Sequence, residues 1–229
     1  MKYLLQSLRW DTLLIHRNRL FIIAIVVGLF YTGLFYLLKP LGNLSMVLIL
    51  LIINDPIVTG FVFAGVLWIF DKQQHTLQAI AVLPLPLKDY FLSKAIILGV
   101  LGSLTALLMA FVTSGANFLV GHLFVSVFLG TFMFSCFGFT IAAIAGNFNR
   151  FLLYMIPCVI ICGIPILFTL GIDRQIWRFV LPSTGMIELL EYSIIGRLDA
   201  SVLLAYIQLV FWAVVSWFVM LAVTKKRVS

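Results

Sequence analysis

The sequence predicts an all-α polytopic membrane protein with six transmembrane helices. Three observations predict it. Hydrophobic residues make up 63% of the 229-residue chain and charged residues 10%, with a mean hydropathy of +1.19. A soluble domain carries about 25% charged residues, so this little charge could not cover a soluble surface. Next, apolar stretches approach the roughly 20 residues that a spanning helix needs; they cover 20–38, 44–70, 95–116, 119–145, 152–171 and 202–223. Finally, the cations alternate with the spans. With the N-terminus inside, the cytoplasmic segments hold Lys2, Arg9, Arg17, Arg19, Lys72, Lys88, Lys94, Arg150, Lys225, Lys226 and Arg227. The outer segments hold only Lys39, Arg174, Arg178 and Arg197, beside Asp173, Glu188, Glu191 and Asp199. This positive-inside bias puts both termini in the cytoplasm and makes the net charge of +7 a topology signal rather than a nucleic-acid footprint. The spans use most of the chain, so residues 1–229 read as a single transmembrane domain.

Taken in order, residues 2–18 place Leu4, Leu5, Leu8, Thr12 and Ile15 near one face, with Lys2, Gln6, Arg9 and Arg17 mostly elsewhere. This is the pattern of an amphipathic helix lying in the cytoplasmic interface, with Trp10 at headgroup depth. No secretory signal is expected: these residues alternate charge and apolar groups, and no cleavage site is visible. The span 20–38 closes at Lys39-Pro40. The span 44–70 is longer than a bilayer needs, which implies tilt, a kink or projection.

The cytoplasmic segment 71–94, "DKQQHTLQAIAVLPLPLKDYFLSK", reads as a rigid elbow of two helical pieces. Thr76 suits the cap of a short helix from Leu77 to Leu83, whose apolar face is Leu77, Ile80 and Ala81. Pro84 stops it, because a residue before proline avoids the α region. Pro86 opens a second helix that leads through Tyr90 and Lys94 into the span 95–116. The span 119–145 ends at the turn "GNFNR", and Pro157 and Pro165 interrupt 152–171, which neighbouring helices tolerate when they satisfy the freed backbone groups. Residues 173–200 are too polar to span. Their apolar clusters predict a re-entrant pair of short helices in the outer leaflet, split by "PSTG". Ser183 or Thr184 would cap the second one, with Glu188 near its first turn. The span 202–223 ends in a cytoplasmic anchor, "TKKRVS".

Catalytic chemistry has little to stand on. No G-x-x-x-x-G-K-[ST] occurs, so the chain has no P-loop for nucleotide phosphates. His16, His75 and His122 are scattered and suggest no zinc site, and no G-x-S-x-G elbow appears. Cys136, Cys158 and Cys162 lie in apolar runs and read as small buried side chains rather than a metal or redox pair.

Asp55 is the exception to the apolar rule, the one acid inside a span, followed by Pro56 and preceded by Asn54. A charge in mid-membrane costs roughly 2.5–3.5 kcal/mol on insertion scales. Pro56 removes a backbone hydrogen bond and frees a carbonyl near Ile52, and the Asn54 amide can fill such a gap. Asn54, Asp55 and Pro56 therefore mark a kinked polar point facing protein or water. Two roles stay open. Asp55 lines a substrate path or a dimer seam, where it meets a cationic substrate, or it is protonated or bonded to a neighbouring hydroxyl and fixes the kink.

The elbow resembles the second-to-third-span loop of type-2 ABC transporter permeases. The residues that carry the resemblance are Asp71, Thr76-Leu77, Pro84-Leu85, Tyr90 and Lys94, together with the six-span plan, the N-terminal amphipathic helix and the long outer segment. His75 departs from the pattern, in which a glycine commonly precedes the Thr-Leu pair. "NDPIVTGFVFAG" looks most like small drug-exporter permeases of the fluoroquinolone-export kind; the haem-exporter permease of cytochrome maturation is a similar alternative. The resemblance implies a non-enzymatic transport subunit in a bacterial cytoplasmic membrane. It binds no cofactor itself, and two partner ATPase subunits supply ATP and Mg. It further implies pairing with a second copy or a related permease. Thr76, Leu77, Gln78, Ile80, Pro84, Leu85, Tyr90 and Lys94 then form the coupling helix and its supports, docked on the ATPase. The apolar walls suit amphipathic cations, haem, lipids or peptides. A substrate-capture subunit of an importer and a lipid-acting membrane enzyme are the competing classes; the elbow disfavours the first and the missing carboxylate clusters the second.

Weaker signals complete the reading. Gly28 and Gly33, Gly60 and Gly65, and Gly99 and Gly102 permit close local helix packing rather than define a dimer motif. The 21 Phe residues read as lipid-facing or core. Glu188 and Glu191 read as a solvated face, with exit gating as the alternative.

Overall fold

The computed structural model describes residues 20–38, 45–74, 76, 86–115, 117–165, 180–196 and 201–228. Among these, seven helices and no strands occur: α1 (Leu20–Leu38), α2 (Ser45–Gln73), α3 (Leu87–Ser114), α4 (Val120–Ala145), α5 (Phe148–Gly163), α6 (Thr184–Ile195) and α7 (Val202–Val228). The all-helical expectation therefore holds for the described residues. Four helices are long and apolar enough to cross a membrane: Ser45–Gln73, Leu87–Ser114, Val120–Ala145 and Val202–Lys226. Two further apolar stretches are shorter, Gly28–Leu37 and Phe148–Gly163. The stretch expected to span over 152–171 begins earlier, at Phe148. It carries Pro157 inside the helix and tightens to a 3₁₀ turn at 164–165. Its remainder, 166–171, lies outside the described residues, as do the N-terminal helix 2–18 and the first of the two outer helices up to residue 179.

Local chemistry sets the ends. Pro86, extended at φ −63° and ψ 131°, stands just before α3, and Asp89 lies in that helix's first turn. An acid there opposes the positive end of the helix dipole. The α4–α5 turn is made by two residues of opposite use. Gly146 takes the left-handed conformation at φ +73°, which ends α4. Asn147 then caps α5, its side-chain oxygen accepting from the Arg150 amide at 2.9 Å.

α4 is the centre of the bundle. It packs against α3, the middle and later parts of α2, α5, α6 and α7. The molecule is apolar outside and partly polar inside. Exposed side chains include Phe30 and Leu37 on α1, Leu104 and Phe111 on α3, Ile160 on α5, and Phe211 and Phe218 on α7. Buried ones include Thr59, Ser103, Thr105, Ser126, Thr131, Ser135 and Thr140. Lipid is the solvent this surface matches. Most of the buried hydroxyls are satisfied by their own helix: Ser103 donates to the Gly99 carbonyl, Thr131 to Val127, Ser135 to Thr131 and Thr140 to Cys136, all at 2.7–2.8 Å.

Candidate functional site

The 29-residue α2 is not a uniform helix. Residues Ser45–Asp55 and Phe63–Gln73 are α-helical, and Pro56–Val62 between them are π-helical. The proline explains the placement. Without an N–H it cannot close the regular ladder, and the wider turn re-routes the neighbouring bonds. The expected kink is thus a stretch of π-helix.

That stretch crosses α4 backbone to backbone. A Cβ on Gly60 would lie 2.7 Å from the Thr131 carbonyl oxygen, and one on Gly138 would collide with the Phe61 carbonyl oxygen. Glycine at both positions lets the two backbones meet. Gly65, Gly99 and Gly102 likewise sit against Phe151, Phe128 and Thr131, as local packing glycines should, while among the described residues nothing lies within 4 Å of a Cβ on Gly33.

Asp55 opens the π-helical stretch and is fully buried. Thr59, one turn on, donates to its Oδ1 at 3.2 Å. Thr105 Oγ1 of α3 lies 2.5 Å from its Oδ2. Gly102 completes the wall, since a Cβ there would come 2.8 Å from Thr131 Oγ1 and 3.4 Å from Asp55 Oδ2. Asp55 is thus hydroxyl-bonded, with the carboxyl inside the bundle, and both of its roles stay open. The Asn54 amide does not fill a backbone gap as expected. It donates to the Tyr31 hydroxyl of α1, because its side chain points out of α2 toward that helix. Pro56 is buried beside Asp55. Thr59 was legible as an i+4 neighbour of Asp55. Thr105 was not, because 50 residues separate it from Asp55 and only the fold joins them.

A second polar cluster lies at the elbow's two legs. Asp71, near the end of α2, accepts a hydrogen bond from the Tyr90 hydroxyl of α3 and pairs with Lys94 Nζ at 3.3 Å. Lys94 also lies over the Tyr90 ring, 4.8 Å from its centroid. Tyr90 and Lys94 are 4% and 2% exposed, so their side chains face Asp71 inside this chain. Phe91 stacks on Trp68 beside them, with ring centroids 5.3 Å apart. Thr76 is half-buried; Leu77, Gln78, Ile80, Pro84 and Leu85 lie outside the described residues.

Two expectations for the outer segment fail. Glu188 and Glu191 are not a solvated face but are 3% and 4% exposed, because α6 is wedged against α4, α7 and the first part of α2. Ser183 stands at the N-cap of α6 without a side-chain cap bond, and its hydroxyl donates instead to the Cys162 carbonyl of α5. Thr184 donates to the Leu181 carbonyl at 3.2 Å. α6 is thereby fastened to the bundle. Of the cysteines, Cys136 and Cys162 are buried and Cys158 is half-buried; all are free thiols, and no group of His, Cys, Asp or Glu with metal-site geometry occurs among the described residues.

An apolar-surfaced helical bundle, tightened by glycine and carrying buried polar points in its long helices, is the build of an integral membrane protein. The profile of the Fluoroquinolones export permease protein family matches residues 2–228, and the chain belongs to that family. It is similar to a fluoroquinolones export permease protein of Mycobacterium tuberculosis strain H37Rv, with 25% identity over 191 residues, covering 83% of this chain and 80% of the relative. The corresponding protein of strain CDC 1551 / Oshkosh matches with the same identity and coverage.

Proposed function

We propose that this chain is the transmembrane permease subunit of an ATP-driven exporter of the type-2 ABC class. It moves an amphipathic or hydrophobic drug, of which a fluoroquinolone is the model case, out of the cell. The observation that carries this reading is family membership over residues 2–228. A sequence without a P-loop points the same way, since such a chain must borrow its energy from another subunit. The working unit holds two permease chains, identical or related, and two ATPase subunits that bind ATP and Mg. In this reading the chain crosses the bacterial cytoplasmic membrane six times, with both termini in the cytoplasm.

In this reading the segment 71–94 is the coupling elbow. Thr76, Leu77, Gln78, Ile80, Pro84 and Leu85 form the part that docks on the ATPase. Tyr90 and Lys94 act from behind it: through Asp71 they tie α2 to α3, so a push on the elbow reaches both helices together. Asn54, Asp55 and Pro56 form the mid-membrane point that responds along the substrate path. Rigid-body rocking of packed helices carries such motion.

Fluoroquinolone accumulation in cells tests the proposal. Cells expressing the chain with its ATPase should accumulate less drug than cells expressing either alone. Equal accumulation in all three, with the chain present in the membrane, sinks it.

A further inference from the structure

Thr105 Oγ1 lies within hydrogen-bond distance of two oxygens, Asp55 Oδ2 at 2.5 Å and the Gly102 carbonyl at 2.9 Å. A hydroxyl has one hydrogen, and a carbonyl oxygen only accepts. Whereas buried Thr59 donates to Asp55 Oδ1 and buried Ser183 to the Cys162 carbonyl of α5, Ser103, Thr131, Ser135 and Thr140 spend their hydrogen on carbonyls of their own helix. If Thr105 does the same toward Gly102, the hydrogen in the shorter contact comes from the carboxyl.

The surroundings give a second reason. No cation touches Asp55 among the described residues; Thr59 and Thr105 are its side-chain partners. The charged and titratable groups of the helices around it sit elsewhere. On α2 and α3, Asp71, Lys72, Lys88, Asp89, Tyr90 and Lys94 lie at the cytoplasmic ends. On α4, His122 is at the opposite end and the buried Cys136 thiol is hydrogen-bonded to Ser216 of α7, and Glu188, Glu191 and Tyr192 are on α6. On α1, Tyr31 is bonded to Asn54 and Tyr36 is exposed. A carboxylate without a cation in a low-dielectric interior is costly, and neutralisation by a proton removes that cost.

From this accounting we infer that Asp55 is a proton-binding site in the resting bundle, donating to Thr105, and that it exchanges its proton for the cationic group of an amphipathic substrate. The exchange is balanced: the acid O–H bond breaks, the proton leaves to water, and the carboxylate keeps its electron pair and the cation's charge. The proton at rest stands on the geometry alone; the exchange rests on the reading of Asp55 as part of the substrate path.

The test uses the full chain in lipid nanodiscs at neutral pH. Infrared difference spectra between the parent and Asp55→Asn should show a carboxylic-acid carbonyl band present only in the parent. The near-isosteric Thr105→Val should move that band without removing it. Tetraphenylphosphonium, a permanently charged amphipathic cation, should abolish the band and release a proton for each cation bound, measured in weak buffer. A carboxylate signature at neutral pH overturns the inference. So does cation binding without proton release, or no binding. Drug accumulation reads the export proposal separately: if the chain has no effect there while the band and the proton release persist, export fails and the proton site stands.

Discussion

Lys94 and Asp71 show at the level of single side chains how this bundle tolerates charge. Removing one member of a buried pair leaves the other uncompensated, a loss of about 3–5 kcal/mol, whereas replacing both with apolar residues of similar volume is often neutral or stabilising. Lys94→Met alone should therefore lower the unfolding midpoint of the detergent-solubilised protein sharply, and Asp71→Leu/Lys94→Met should restore most of it. Equal losses in the single and double variants contradict a pairwise clamp. Trp68 offers the reverse case. Its indole Nε1 is buried without a hydrogen-bond partner among the described residues, and such an unmet donor costs about 1–3 kcal/mol. Trp68→Phe keeps an aromatic ring against Phe91 and should leave stability equal or higher in the same assay.

Among the elements, α2 decides most. Its sequence announced an irregularity through Asn54-Asp55-Pro56, because proline chemistry acts within one turn. That the irregularity is π-helical, and that it crosses α4 at Gly60 and Gly138, was not legible. Close approach depends on a partner helix some 70 residues away, and a glycine alone does not name its neighbour. Ser183 failed for a related reason: the cap position was readable from local sequence, but the competing acceptor on α5 was not. Glu188 and Glu191 failed because burial of α6 is decided by three other helices. A test at this scale is Gly138→Ala, which drives a methyl into the Phe61 carbonyl and should cost about 1–3 kcal/mol as overpacking. Gly33→Ala is the control; with nothing near its Cβ it should cost nothing measurable in the same thermal scan.

For the whole molecule, composition alone was decisive about class, because a 10% charged chain has only one solvent that suits it. The exposed rings of Phe30, Phe211 and Phe218 and the buried ones of Phe134 and Phe139 follow from that. Cysteine placed at Phe30 or Phe211 should react with a lipid-soluble maleimide in vesicles, and cysteine at Phe134 should stay unreacted; similar labelling at all three contradicts the packing. Under the proposed function, coupling to an ATPase is likewise a property of the assembly. Leu77→Asp should abolish drug-stimulated ATP hydrolysis and the pull-down of the ATPase while the chain still inserts. Undiminished capture of the ATPase by that variant refutes the elbow's docking role.

The Asp71–Lys94 arrangement has a consequence for descent. Each exchange taken alone strands a charge in the interior, so the two positions are separated from an uncharged alternative by a valley in fitness rather than a slope. Lineages should therefore cross it in paired steps, and homologues that have lost the lysine should have lost the aspartate with it.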